Sequence, residues 1–208
     1  MRQPRTDPEI RRQQILEAAT RLIGLQGYNG LTVQELARKC GLTNGGLLYY
    51  FGSKEQLLVA ILEERDRQES AIVHADLERA AGGDITLSRR NVLHAFRAIM
   101  RRSATNPELL RFYIVLQSEA LNRDHPAHEY FLRREAMVLR EFTRMLTDHA
   151  ENPKSAARQM LAVIEGLEHQ WLRADQEFDL LAELDKAIPL ILPWARAIQD
   201  TDKTSLTT

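Results

Sequence analysis

Within twelve residues, from Thr43 to Lys54, the chain gathers Thr43, Asn44, Gly45, Gly46, Tyr49, Tyr50 and Lys54, with no carboxylate among them. These types suit noncovalent recognition of a polyanion better than bond-making chemistry. A phenol donates a hydrogen bond to a phosphate, and an ammonium pairs with one. Backbone N–H groups at a helix start do the same, helped by the helix dipole. Glycines without Cβ atoms let a helix backbone come close to a duplex.

The elements that must position these groups are legible on either side. Ile10, Ile15, Leu16, Ala19, Leu22 and Ile23 recur at helical spacing, predicting a first helix over 9–26 that Gly27 stops. Thr32 with Glu35 three positions on is a capping box, so a second helix runs from Val33 to near Cys40. Thr43 caps a short third helix over 44–50. Ser53 with Gln56 opens a long fourth helix from Lys54 to about Ala81. Two short helices joined by Gly41-Leu42-Thr43 form a helix-turn-helix pattern, whose second helix enters a major groove. Leu36, Ala37, Leu42, Leu47 and Phe51 supply its core. A plain helical corner whose tyrosines cover an apolar seam fits the same spacing.

The rest of the 208-residue chain is also helical in pattern. Helices are expected over 87–105, 107–121, 127–150 and 154–173, and from about Phe178 onward, the last kinked or broken at Pro189 and Pro193. Gly82-Gly83-Asp84 reads as a turn, and 200–208 as a frayed tail. Strand alternation is absent, so the fold class is all-α, with about nine helices in a three-helix head and a larger body. Domains are expected at 1–53, with 1–8 a flexible arm, and at 54–199.

Composition bounds the function. Residues 1–56 carry eight Lys/Arg against five Asp/Glu, and the remainder twenty against twenty-four. A polyanion partner therefore belongs at the front of the chain. No apolar run approaches membrane-spanning length and no signal peptide opens the chain, so a cytoplasmic protein is expected. Cys40 is the only cysteine, which leaves no disulfide framework. There is no Gly-rich phosphate loop, G-x-S-x-G, H-E-x-x-H or clustered carboxylate pair, so neither enzyme, cofactor nor metal is expected. His94, His125 and His128 stand apart as flank or loop residues.

The segments "ILEAATRLIGLQGYNGLTVQELARKCGL" and "TNGGLLYYFGSKEQLL" resemble the DNA-binding domain of the TetR (tetracycline-repressor) family over about 48 residues. The resemblance implies a homodimeric transcriptional regulator, mostly a repressor, that binds a palindromic operator and is released by a small, mostly apolar effector. By matched position, it implies that Thr43 and Asn44 touch phosphate or a base. Gly45 lets the backbone approach DNA, Tyr49 and Tyr50 face phosphates, Lys54 holds one, and Thr32 lies near another. The chain departs from the pattern at Leu48, where tyrosine is frequent, at Asn44, where lysine is frequent, and at Gly46, where a side chain is common. Leu48 either meets a thymine methyl or turns inward. Arg2 and Arg5 offer a minor-groove arm. A helical sensor or interaction protein with a degenerate head is the alternative.

The body carries weaker signals. Phe96, Met100, Tyr113, Gln117, Phe131, Phe142 and Trp171, with Met145, could line an apolar effector pocket or simply fill core. Family position assigns dimerisation to the last two helices, with Ala157, Leu161, Ile164 and Glu168 along one side and Gly166 permitting close approach.

Overall fold

The computed structural model describes the backbone of residues 7–81 and 88–198 and the side chains of 7–67 and 88–198. The expectations for Arg2, Arg5, Gly82-Gly83 and 200–208 lie outside these residues. Among the described residues nine helices follow in order: α1 (Pro8–Gly30), α2 (Val33–Lys39), α3 (Asn44–Phe51), α4 (Lys54–Ala81), α5 (Arg89–Thr105), α6 (Pro107–Glu119), α7 (His128–Leu146), α8 (Pro153–Arg173) and α9 (Leu180–Ile191). A short helical turn follows at 195–198. There is no strand among the described residues, and the fold is all-α.

Local chemistry explains the boundaries. Asp7 caps α1 by accepting from the Glu9 N–H, with Pro8 in the first turn. Thr32, Thr43, Ser88, Asn152 and Asp179 cap α2, α3, α5, α8 and α9 in the same way. Gly27 ends the regular part of the first helix as expected: at φ 77° and ψ 170° it leaves helical geometry, and a separate turn runs on to Gly30 beyond the kink. Helix α7 ends at Leu146, short of the expected 150, because 147–149 form a turn. Pro189 sits inside α9 near its end, where the missing N–H costs one hydrogen bond, and Pro193 falls just beyond the helix.

Packing groups the chain into two compact units whose borders differ from a division at residue 53. The first joins the residues up to Gln68 with Glu108–Phe131. Its core holds Ile15, Leu16, Ala19 and Ile23 of α1, Leu36 and Ala37 of α2, Leu47 and Phe51 of α3, Leu57, Leu58, Ile61 and Leu62 of α4, and Phe112 and Leu116 of α6. The head is therefore completed by apolar residues from a distant helix, which a 53-residue unit would lack. The second unit joins Glu69–Pro107 with the residues from Leu132 onward. It packs Phe96 and Met100 of α5, Phe142 and Leu146 of α7, Met160, Ile164 and Trp171 of α8, and Leu184 and Ile188 of α9. An Arg97–Asp185 ion pair of 2.7 Å and a Ser103–Glu168 hydrogen bond tie α5 to α9 and α8.

Candidate nucleic-acid interface

The site is built on α3 and its flanks. Gly41 turns the chain at φ 66°, a left-handed conformation that favours glycine. Leu42 packs on the core behind the turn. The Thr43 hydroxyl accepts from the Gly46 N–H at 3.0 Å. Its own proton is then left to donate. Thr32 repeats this at α2, accepting from Glu35 N–H at 3.1 Å. The Asn44 and Gly45 amides lie in the first turn, where a helix has no internal acceptor for them.

The side chains sort by exposure. Leu47 and Phe51 are buried, while Asn44 and Gly45 are exposed and Tyr49 is 87% exposed. A Cβ added at Gly45 would meet nothing within the chain. One added at Gly46 would come within 3.2 Å of the Thr43 hydroxyl, so Gly46 has an intramolecular reason in the cap. Tyr50 is half-buried, packed on the core with its ring 5.8 Å from that of Tyr49, so its body is structural and only its edge is available. Leu48 is half-buried, between the two orientations expected of it.

Lys54, the first residue of α4, does not extend freely into solvent. Its Nζ lies 4.1 Å from the centroid of the Tyr28 ring. Burial pushes its pKa down, while the nearby Glu55 and Glu119 carboxylates favour the charged form. Tyr28 is held at three places. Its N–H donates to Glu119 Oε2 at 2.8 Å, its hydroxyl donates to Glu55 Oε1 at 3.2 Å, and its ring meets the edge of His125 at 5.1 Å. Burial and Glu55 push the phenol pKa well up, keeping it a donor. The Glu55 carboxyl is held below its usual range by the backbone N–H at the helix start and by Ser53.

Sequence reasoning missed Tyr28, Glu119 and His125 at this place. Gly27-Tyr28 before the Thr32 cap was the only local signal, and Glu119 lies 91 residues from Tyr28. Cys40 is half-buried, its thiol pushed up by burial, and its carbonyl accepts from Arg11 at 3.4 Å.

The residues expected to line an effector pocket fall in both units. Tyr113, Gln117 and Phe131 belong to the first, where Tyr113 and Phe131 rings lie 5.1 Å apart. Phe96, Met100, Phe142 and Trp171 belong to the second and are buried, with Phe96 and Phe142 rings 5.0 Å apart edge to face. There they fill core. A groove of about 310 Å³ opens elsewhere in the second unit, lined by Ala136, Leu139, Arg140 and Thr143 of α7 and Lys154 and Arg158 of α8.

The expected dimer residues need correcting. Ala157, Ile164 and Glu168 are buried within one chain, Glu168 accepting from Ser103 of α5, and only Leu161 is partly exposed. The apolar stripe of α8 faces its own core. The open edges of the last two helices carry Ala162, Gly166, where a Cβ would meet nothing, and Leu190, which is 79% exposed.

A capped helix-turn-helix with a donor-rich exposed face, in an all-α chain, defines a DNA-binding class of protein. Comparisons with known proteins agree. Residues 15–61 match the family model "Bacterial regulatory proteins, tetR family". The HTH-type transcriptional regulator BetI of Rhizobium meliloti (strain 1021) is 32% identical over 111 residues, 53% of this chain and 52% of BetI. The chain thus spans about half the length of that curated relative. BetI of Burkholderia thailandensis is 28% identical over 86% of this chain and 90% of that protein. Among solved structures, AibR in complex with isovaleryl coenzyme A and operator DNA shares the fold, with TM-score 0.71 and 20% identity over 88% of this chain and 98% of AibR. Residues 15–61 are thus similar to the tetR family of bacterial regulatory proteins.

Proposed function

We infer that this chain is a ligand-responsive transcriptional regulator that binds a palindromic operator as a homodimer. The observation that carries the reading is the exposed first turn and outer face of α3. It offers the Thr43 hydroxyl, Asn44, a bare Gly45 backbone and Tyr49, with nothing in the chain against Gly45 and Tyr49 touching the Tyr50 ring edge-on while 87% exposed. Thr32 and Lys54 flank that face with a hydroxyl and an ammonium for phosphates. Asn44, whose amide matches the N6/N7 edge of adenine, is the direct base reader. Gly46, Leu48 and Tyr50 shape the face around these contacts. Repression is the mode most consistent with the relatives, which include the AcnR repressors.

The homodimer uses the open edges of α8 and α9. Two heads then read half-sites one helical turn apart, about 34–36 Å centre to centre. The effector is a small, mostly apolar molecule, and entry requires Phe96, Met100 and Phe142 to give way. AibR was solved with an acyl-coenzyme A and DNA together, a precedent for one chain holding both kinds of partner. Lys54 begins the long α4, so a ligand that displaces the far end of that helix also moves a DNA contact. Ligand and DNA must then oppose each other equally in both directions.

Substitution at the contacts tests the reading. Lys54→Ala and Tyr49→Phe should each weaken binding to an enriched DNA duplex while leaving the chain folded. Lys54→Ala should also lower the slope of log K against log salt by about one. Unchanged affinity in both variants would refute these contacts.

A further inference from the structure

The arrangement around Lys54 carries one step more, resting on the reading of Lys54 as a phosphate contact. The kink at Gly27 frees the Tyr28 N–H from the helix ladder, and Glu119, the last residue of α6, takes it up at 2.8 Å. The conformation requires glycine: φ is +77°, and a Cβ would collide with the Glu119 carboxylate. Behind Tyr28 stands His125, from the segment between α6 and α7, with Nε2 3.8 Å from Glu119 Oε2. Tyr28 is therefore fixed at its backbone by Glu119, at its hydroxyl by Glu55 and at its ring by His125, and Lys54 rests on the face so presented.

We propose that Glu119 is a positioning residue for DNA binding: with Tyr28 it stores the Lys54 ammonium on the ring, and the phosphate contact must draw Lys54 out of that store. Glu119 acts twice. Its hydrogen bond sets the Tyr28 backbone, and its charge pulls the ammonium inward. The C-terminal end of α6 thereby becomes a control point for the grip on DNA, independent of the recognition face of α3. Any event that withdraws Glu119 from Tyr28 releases the lysine.

The test is a double-mutant cycle on the full chain. The probe is the duplex enriched from random DNA by the wild-type protein. Glu119→Gln keeps an acceptor for the Tyr28 N–H and removes the charge, so the fold is retained. It should tighten binding several-fold at low salt. In a Lys54→Ala background the same substitution should change affinity by less than about twofold, as for sites whose shared partner is gone. An equal gain with and without Lys54 would show a general loss of repulsion and overturn the proposal. A second readout needs no DNA. The ε-methylene protons of Lys54 should show an upfield ring-current shift in the wild type, reduced in Glu119→Gln. No such shift in the wild type would also overturn it. Failure of the DNA-contact reading shows separately, as a Lys54→Ala single variant with wild-type affinity.

Discussion

Two residues in the first unit report on the kink most directly. Gly27 holds φ 77° with ψ 170°, a conformation open essentially to glycine, which costs a residue with a Cβ about 1–3 kcal/mol. Gly27→Ala should lower stability by at least that amount in urea titration, with the m-value unchanged, since the carboxylate of Glu119 must also move. His125 gives a pH signature. Its Nδ1 accepts from the Ala127 N–H at 3.1 Å, and burial pushes its pKa below the ordinary 6.5. Glu119 favours its charged form and Lys54 opposes it, with burial the larger effect. The neutral imidazole is thus the folded form. As pH falls through 6.5, the unfolded chain binds a proton that the folded chain does not, and stability falls. Denaturant midpoints at neutral and mildly acid pH should converge in His125→Asn relative to wild type. An equal acid loss in both would remove His125 from the explanation.

At the scale of elements, the caps organise the head. Thr32→Ala and Thr43→Ala each remove an acceptor from a first-turn N–H and should cost about 1 kcal/mol, read as a shift in thermal midpoint. The head was legible in sequence because its signals are local: hydroxyls three residues ahead of the amides they cap, glycine at a left-handed turn, and Leu47 and Phe51 one turn apart. Gly27 was legible as the break in the first helix, but the short turn that resumes after it and runs to Gly30 was not. The stripe of Ala157, Ile164 and Glu168 misled. Periodicity shows which residues share a face, but these three are buried within the same chain, where α9 packs on α8 and Ser103 of α5 bonds to Glu168. Glu119 and Tyr28 were beyond reach, since no local pattern joins residues 91 apart.

At the scale of the molecule, the proposed function needs a head that offers donors to a DNA backbone and a body through which two chains would pair. Leu190, exposed on α9, is an expected contact across that pair. Leu190→Glu should shift the sedimentation coefficient toward the monomer and weaken binding to a two-half-site duplex more than to a single half-site, because linked heads gain effective concentration. A dimer unaltered by Leu190→Glu would place the interface elsewhere. The central claim is that the exposed face of α3 reads DNA as one of two symmetric copies. Its most direct measurement is selection of bound fragments from random duplex DNA by the wild-type chain. The account predicts enrichment of an inverted repeat whose half-site centres lie one helical turn apart, with the same repeat bound more weakly by Lys54→Ala. Recovery of no enriched repeat would contradict it.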